Sequence, residues 1–191
     1  MSLPSRHGRV HEVNLDGRVW QFRRPAPHTA VYLAQYASGK SGEDSAAALD
    51  FLRACLLPAS WEALCDDAFD HRTETDVSTI TALMEAVATE GAARPLRAIL
   101  GLCSVTARQW PTIRGRLTTS GGANPLARLA HLHELLDAVE SMIVEGKKDD
   151  KARADYWRSF YGPTLTEEVR ERPGWTAEEE MSAFDAWLEE S

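Results

Sequence analysis

Apolar residues along this chain recur mainly at intervals of three and four, the spacing that places them on one face of a helix. The longest such run contains Leu129, Leu132, Leu136, Val139 and Ile143. It predicts a packed helix that begins at Pro125, with Asn124 as its N-cap, and that ends at Gly146. The same spacing predicts further helices that begin near Pro27, Glu43, Ser60 (as N-cap), Asp76 or Ser78, and Leu96, and another around Tyr156.

The first thirty residues follow a different pattern, with apolar residues on both sides of Asp16-Gly17. They are Val13 and Leu15 before this pair, and Val19, Trp20 and Phe22 after it. Asp-Gly between such runs favours a two-residue hairpin turn, since both central positions need a positive φ. Pro25 and Pro27 then end the second strand, because proline cannot donate to a strand ladder. The predicted fold is therefore mainly α, with helical bundle-like units and a short N-terminal β-hairpin.

The dipeptide Arg94-Pro95 is the predicted internal boundary, because a residue before proline avoids the helical region and the charge changes sign there. We predict an N-terminal unit over residues 1–93 and a second helical unit over 94–172. An acidic C-terminal helix or tail would follow over 173–191, opened by the capping-box sequence TAEE.

The net charge of −8 is distributed in blocks of alternating sign. Residues 94–130 contain six arginines and no acidic residue, whereas residues 131–191 contain seven basic and sixteen acidic residues. Such alternation favours attraction between segments or between copies of the chain over the one-sided basic surface of a DNA-binding protein. It leaves a homo-oligomer open, and we expect no nucleic acid as partner.

Cysteine usage and hydropathy bear on the compartment. The three cysteines, Cys55, Cys65 and Cys103, show no CxxC spacing, which argues against a disulfide framework or a zinc finger. The N-terminus lacks the apolar region of a signal peptide, and no apolar run approaches the roughly 18 residues of a membrane span. A protein of the reducing cytoplasm, without membrane contact, is expected.

Two short motifs invite a chemical interpretation, but each has a simpler structural one. The glycine pair before Asn124-Pro125 resembles an anion-binding helix start, but it lacks the GxxxxGK[ST] pattern, and Pro125 lacks an N–H. His131, His133 and Glu134 suggest a metal site, but on a helix His133 would point away from the other two. We interpret His133 as part of a surface pair with Asp137.

Hydrolase motifs such as GxSxG and HExxH are absent from the sequence. We therefore predict no catalytic residue, no cofactor and no metal. A small enzyme remains an alternative, since residues that converge only in the fold leave no motif.

Aromatic and basic residues are the remaining candidates for binding. Arg108, Trp110, Arg114 and Arg116 form a basic group with one aromatic, which suits either single-stranded nucleic acid or, as we favour, an acidic helix of another segment or chain. Trp157 lies on a predicted aromatic helix face, and Phe184 and Trp187 lie on the acidic last helix. That last helix has the pattern of one that docks in a groove of another protein, although packing on its own core is the alternative.

The order of these motifs resembles a known family. The stretches "VNLDGRVWQFRRPAP", "LLPASWEAL", "EGAARPLRA" and "RQWPTIRGRLTTSGGANPLARLAHLHELLDAVESMIVEG", followed by "DYWRSFYGP" and "PGWTAEEEMSAFDAW", look like the tail assembly chaperones of long-tailed phages that infect actinobacteria. The resemblance extends over nearly the whole chain. Its motifs are diffuse patterns of aromatics, arginines and turns.

The resemblance implies a non-enzymatic protein that coats the tape measure protein, keeps it soluble and helps recruit tail-tube subunits in the host cytoplasm. Such proteins are not expected in the mature virion. Related phages make a short and an extended form by frameshifting, and the codons of Gly146-Lys147-Lys148 are a candidate slippage site that the nucleotide sequence decides. No active-site residue carries over. The alternative is another helical adaptor or scaffolding protein.

Overall fold

The computed structural model describes residues 9–39, 43–69, 77–121 and 125–162. The chain divides into two compact units, Met1–Gly146 and Lys147–Ser191. The described residues form a two-stranded hairpin and eight α-helices, which confirms the predicted mainly α fold with an N-terminal β-hairpin. The elements are β1 (Val10–Leu15), β2 (Arg18–Arg23), α1 (Ala30–Tyr36), α2 (Glu43–Cys55), α3 (Pro58–Phe69), α4 (Val77–Thr89), α5 (Leu96–Arg108), α6 (Trp110–Gly121), α7 (Leu132–Glu145) and α8 (Asp150–Tyr161).

The hairpin forms at the predicted turn. Strands β1 and β2 pair antiparallel from Val10 opposite Arg23 to Leu15 opposite Arg18. Asp16 and Gly17 have φ values of 53° and 79°, so both turn residues adopt the left-handed conformation that Asp-Gly favours.

The turn between α2 and α3 forms hydrogen bonds with backbone groups of β2 that do not pair with β1. The amide of Gln21 donates to the Ser60 hydroxyl at 2.9 Å, and the amide of Leu57 donates to the Gln21 carbonyl at 3.0 Å. The prediction that α3 starts near Ser60 as N-cap was wrong, because the helix begins at Pro58. Proline tolerates the first helical turn, and the Ser60 hydroxyl binds the hairpin instead.

The core of the first unit lies between the hairpin and helices α1, α2, α4, α5 and α7. Helix α1 packs against α2 and α5, α2 packs against α4, and α5 packs against α7. The largest fully buried side chains are Phe22, Phe51, Leu33, Leu52, Leu64, Leu83, Met84, Ile99, Leu102, Leu132, Leu135 and Leu136. The predicted boundary at Arg94-Pro95 lies inside this unit. The functional division of the chain at residue 93 stays a prediction.

The sequence pattern did not predict helix α6. Gln109 joins two helices: its amide donates to the Val105 carbonyl, and its carbonyl accepts from the Ile113 amide. Because Pro111 lies in the first turn of α6, its missing N–H costs no hydrogen bond within the helix. The chain therefore turns at Gln109 and continues as a second helix.

Helix α7 begins later than predicted. A short 3-10 turn covers Pro125–Ala127, and α7 starts only at Leu132, so the predicted start at Pro125 was wrong. The predicted end at Gly146 is confirmed. The Leu132 amide donates to the Pro25 carbonyl at 2.7 Å. This bond places the start of α7 beside the exit of the hairpin, which brings residues distant in sequence together.

In the second unit, the structure describes α8 and the turns at its ends. Asp149 caps the helix, since its side chain accepts from the Ala152 amide at 2.8 Å. Gly162, with a φ of 87°, ends it. The predicted acidic helix, with Phe184 and Trp187, lies outside the described residues.

Candidate protein-binding surface

An open apolar groove of about 340 Å³ lies on the surface of the first unit. The start of α1, the junction of α5 with α6, the 3-10 turn and α7 surround it. The lining residues are Pro27, His28, Ala30, Val31, Thr106, Ala107, Trp110, Leu126 and Leu135. This volume lies at the lower end of the ~300–1,000 Å³ that ligand pockets usually have.

The groove has a buried floor and an exposed rim. Ala30, Thr106 and Leu135 form the floor, with exposed fractions of 6%, 4% and 1%. On the rim, Val31 is 46% exposed and Trp110 is half-buried. Because these rim side chains adjoin the apolar floor, the groove forms a contiguous apolar surface of the kind at which another molecule binds.

Few polar groups in the groove are available to a ligand. The Thr106 hydroxyl donates to the Leu102 carbonyl of its own helix at 2.7 Å, so its proton is already used. None of the nine lining residues is acidic, and His28 is the one titratable side chain among them. The groove is therefore suited to apolar side chains and poorly suited to a phosphate, a sugar or a metal ion.

A second, smaller cleft of about 110 Å³ lies between the α5–α6 junction and α7. Its lining residues are Val105, Gln109, Thr112, Ile113, Arg116, Val139, Met142 and Ile143. The groove and the cleft together show that the segment from Val105 to Arg116 is only partly covered on two sides. Within α6, Ile113 is the buried residue among the described side chains.

The four basic and aromatic residues predicted to bind a partner lie along this segment. Trp110 lines the groove and Arg116 lines the cleft. Arg108 and Arg114 are exposed, and no carboxylate of the described residues lies within ion-pair distance of either guanidinium. The favoured pairing of these arginines with an acidic helix of another segment or chain stays a prediction. Their role in binding stays a proposal.

The remaining predicted binding residues lie in the second unit. Trp157 on α8 is 43% exposed, and its ring contacts the rings of Tyr156 and Tyr161 at centroid distances of 5.2 Å and 5.1 Å. Phe184 and Trp187 lie outside the described residues. Sequence patterns missed Pro27, Val31, Leu126 and Leu135, because no motif connects these positions.

The histidine motif at the start of α7 is a helix cap. His131 accepts a hydrogen bond from the Glu134 amide at 3.4 Å, and the Glu134 carboxylate accepts one from the Ala130 amide at 2.6 Å. This reciprocal pair satisfies two backbone donors, as a capping box does. In the described residues, no group of three or more His, Cys, Asp or Glu side chains is arranged to hold a metal ion.

His133 is buried, so its interpretation as part of a surface pair was wrong. It is 5% exposed, and neither ring nitrogen makes a hydrogen bond of normal geometry. Burial lowers the pKa of His133 below its ordinary value of 6.5, and the charges of His131 and Arg94 lower it further. The Glu90 backbone and Asp137 oppose this shift without reversing it. His133 is therefore a neutral core residue near pH 7.

Ion pairs of Arg94 connect the chain segment before α5 to helix α7. Arg94 is 12% exposed and contacts the carboxylates of Glu140 and Asp137, which are 10% and 63% exposed. The Arg94 Nε donates to Glu140 at 3.1 Å. Arg94 and Glu140 are both largely desolvated, so removing either one would leave a buried charge without one of its partners.

Comparison with known sequence families assigns different families to the two parts of the chain. Residues 3–95 match the family described as phage tail assembly chaperone protein. Residues 105–191 match a family of unknown function, DUF7240. Comparison with curated proteins and with solved structures gave no match.

The predicted resemblance to phage tail assembly chaperones is therefore confirmed over residues 3–95. The actinobacterial host group stays a prediction. The groove draws its lining from both matched segments, with Pro27–Val31 from the first and Thr106–Leu135 from the second. No described helix is long and apolar enough to span a membrane.

Proposed function

We propose that this chain is a phage tail assembly chaperone that binds and solubilises the tape measure protein and helps recruit tail-tube subunits. The match of residues 3–95 to the chaperone family carries this proposal and supports a general role in tail assembly. That role is non-enzymatic. We expect the protein to act in the host cytoplasm and to be absent from the finished virion.

The surface of the first unit supports a protein partner. A chaperone for a long apolar helical protein needs accessible apolar surface and charge that keeps the complex in solution. The groove supplies the first, and the net charge of −8 supplies the second. We propose that Arg108, Trp110, Arg114 and Arg116 contact the partner, together with Trp157, Phe184 and Trp187.

Co-expression tests this function directly. The tape measure protein encoded in the same phage genome is produced alone and with the full chain, and its soluble fraction is measured after lysis. We expect the chain to raise the soluble yield severalfold and to co-purify with the tape measure protein through a tag on either one. Unchanged solubility together with no co-purification would refute the proposal.

A further inference from the structure

We propose that the groove lined by Pro27, Val31, Thr106, Trp110, Leu126 and Leu135 binds one amphipathic helix of the partner protein, and that acidic residues flank the apolar stripe of that helix. This inference rests on the proposed function, which it deepens by naming the chemistry of the recognised segment. It follows from the shape of the groove, the state of its polar groups and the charge around it.

The shape selects a helix. The groove has a floor of three buried residues and a rim that includes the exposed Val31. A volume of about 340 Å³ accommodates a few apolar side chains, not a whole hydrophobic core. A helix projects such a small set from one face at positions i, i+3 or i+4, and i+7, which is how amphipathic helices bind in grooves. An extended strand would need free backbone groups along the groove, but helices and a 3-10 turn form its walls.

The basic residues near Trp110 favour a partner helix that has acidic residues beside its apolar stripe. Arg108 lies in sequence between the lining residues Ala107 and Trp110, and Arg114 lies one turn after Trp110 on the same helix face. Residues 94–130 contain no acidic residue. Both exposed guanidinium groups lack a carboxylate partner in the described part of the chain. A partner helix with Glu or Asp beside its apolar stripe would supply that partner, and one with Lys or Arg would be repelled.

Two exposed substitutions test the groove in the full-length chain. Val31→Glu places a carboxylate on the apolar rim, and Arg108→Glu reverses the charge beside Trp110. Their controls, Val19→Glu and Arg53→Glu, make the same chemical changes at exposed positions that do not line the groove. Circular dichroism confirms that each variant folds. Because both test residues are exposed, we expect unchanged spectra.

The binding probe is a set of overlapping 20-residue peptides that covers the tape measure protein, read by fluorescence anisotropy. We expect the tightest peptides to combine helical apolar spacing with net negative charge. Val31→Glu and Arg108→Glu should each weaken them by at least about tenfold, as expected for a charge forced into an apolar contact or for a reversed charge. The two controls should change affinity less than about twofold. Replacing Glu and Asp of the best peptide by Lys should abolish binding.

The outcomes separate this inference from the proposed function. If the wild-type chain co-purifies with the tape measure protein but Val31→Glu binds as tightly as Val19→Glu, the groove assignment is overturned and the chaperone function stands. If the wild-type chain captures no tape measure protein, the function itself is refuted. Loss of the complex on nuclease treatment, or a Val31→Glu effect confined to self-association of the chain, would also overturn the assignment.

Discussion

Helices α6 and α7 are close in sequence but differ in how the fold uses them. Helix α7 buries Leu132, His133, Leu135, Leu136, Val139 and Glu140, and a reciprocal cap fixes its start. Helix α6 buries Ile113 among its described side chains, and an open groove and a cleft lie beside its first turns. The comparison indicates that α7 stabilises the first unit, whereas α6 contributes mainly surface.

The largest expected effect is a difference in the free energy of unfolding between substitutions on α7 and on α6. Leu136→Ala on α7 removes a side chain with an exposed fraction of 0%, and we expect it to lower the free energy of unfolding by about 2–5 kcal/mol. Leu117→Ala on α6 removes a half-buried leucine and should cost about 1 kcal/mol. Urea denaturation measures both values. Equal losses at the two positions would contradict the proposed division of roles.

The ion pair of Arg94 with Glu140 tests whether α7 also secures the preceding chain. Glu140→Ala leaves a largely buried guanidinium without its closest partner, so we expect a loss of about 3 kcal/mol in the free energy of unfolding. The control, Glu145→Ala, removes an exposed carboxylate from the last turn of the same helix, where we expect a change below about 0.5 kcal/mol. A loss at Glu140 as small as that at Glu145 would show that Asp137 alone satisfies Arg94.

His133 gives a smaller effect that depends on pH. Because burial lowers its pKa in the folded chain below the ordinary 6.5, the unfolded chain binds more protons as the pH falls through that value. Folding stability contributed by neutral His133 is therefore complete above pH 6.5 and declines below it, by at most about 1.4 kcal/mol per pH unit.

The measurement compares the free energy of unfolding at pH 7.5 and 5.5, both chosen around the ordinary pKa. The wild-type chain should lose more stability over this interval than His133→Leu, in which the titrating group is absent. Parallel behaviour of His133→Leu and the wild type would show that His133 does not titrate differently in the folded state.

Local sequence signals predicted the elements that depend on near neighbours. The hairpin followed from Asp16-Gly17, and the end of α7 followed from Gly146. The start of α7 could not be predicted in this way, because Asn124-Pro125 is a stronger capping signal than His131, the residue that caps the helix. Helix α6 escaped prediction because its polar and glycine-containing sequence has little apolar periodicity.

The groove depends on contacts between segments far apart in the chain. Its floor combines Ala30, Thr106 and Leu135, which come together because α1 packs on α5 and because Leu132 bonds to Pro25. None of these residues belongs to a functional motif. The sequence did single out Trp110 and its neighbouring arginines, since an aromatic in a segment without acidic residues is visible locally. That Trp110 lines an apolar groove is visible only in the fold.

The most direct test is hydrogen exchange of the full chain with and without the tape measure protein. It shows whether the groove and the adjacent helix α6 form the binding surface. Backbone amides exchange more slowly where a partner excludes water and restrains opening. We expect added protection in peptides that cover residues 27–36, 105–121 and 125–135. We expect little change in peptides from α2, whose amides the core already protects. Protection confined to other segments, or none on a complex that forms, would contradict the assignment of this surface.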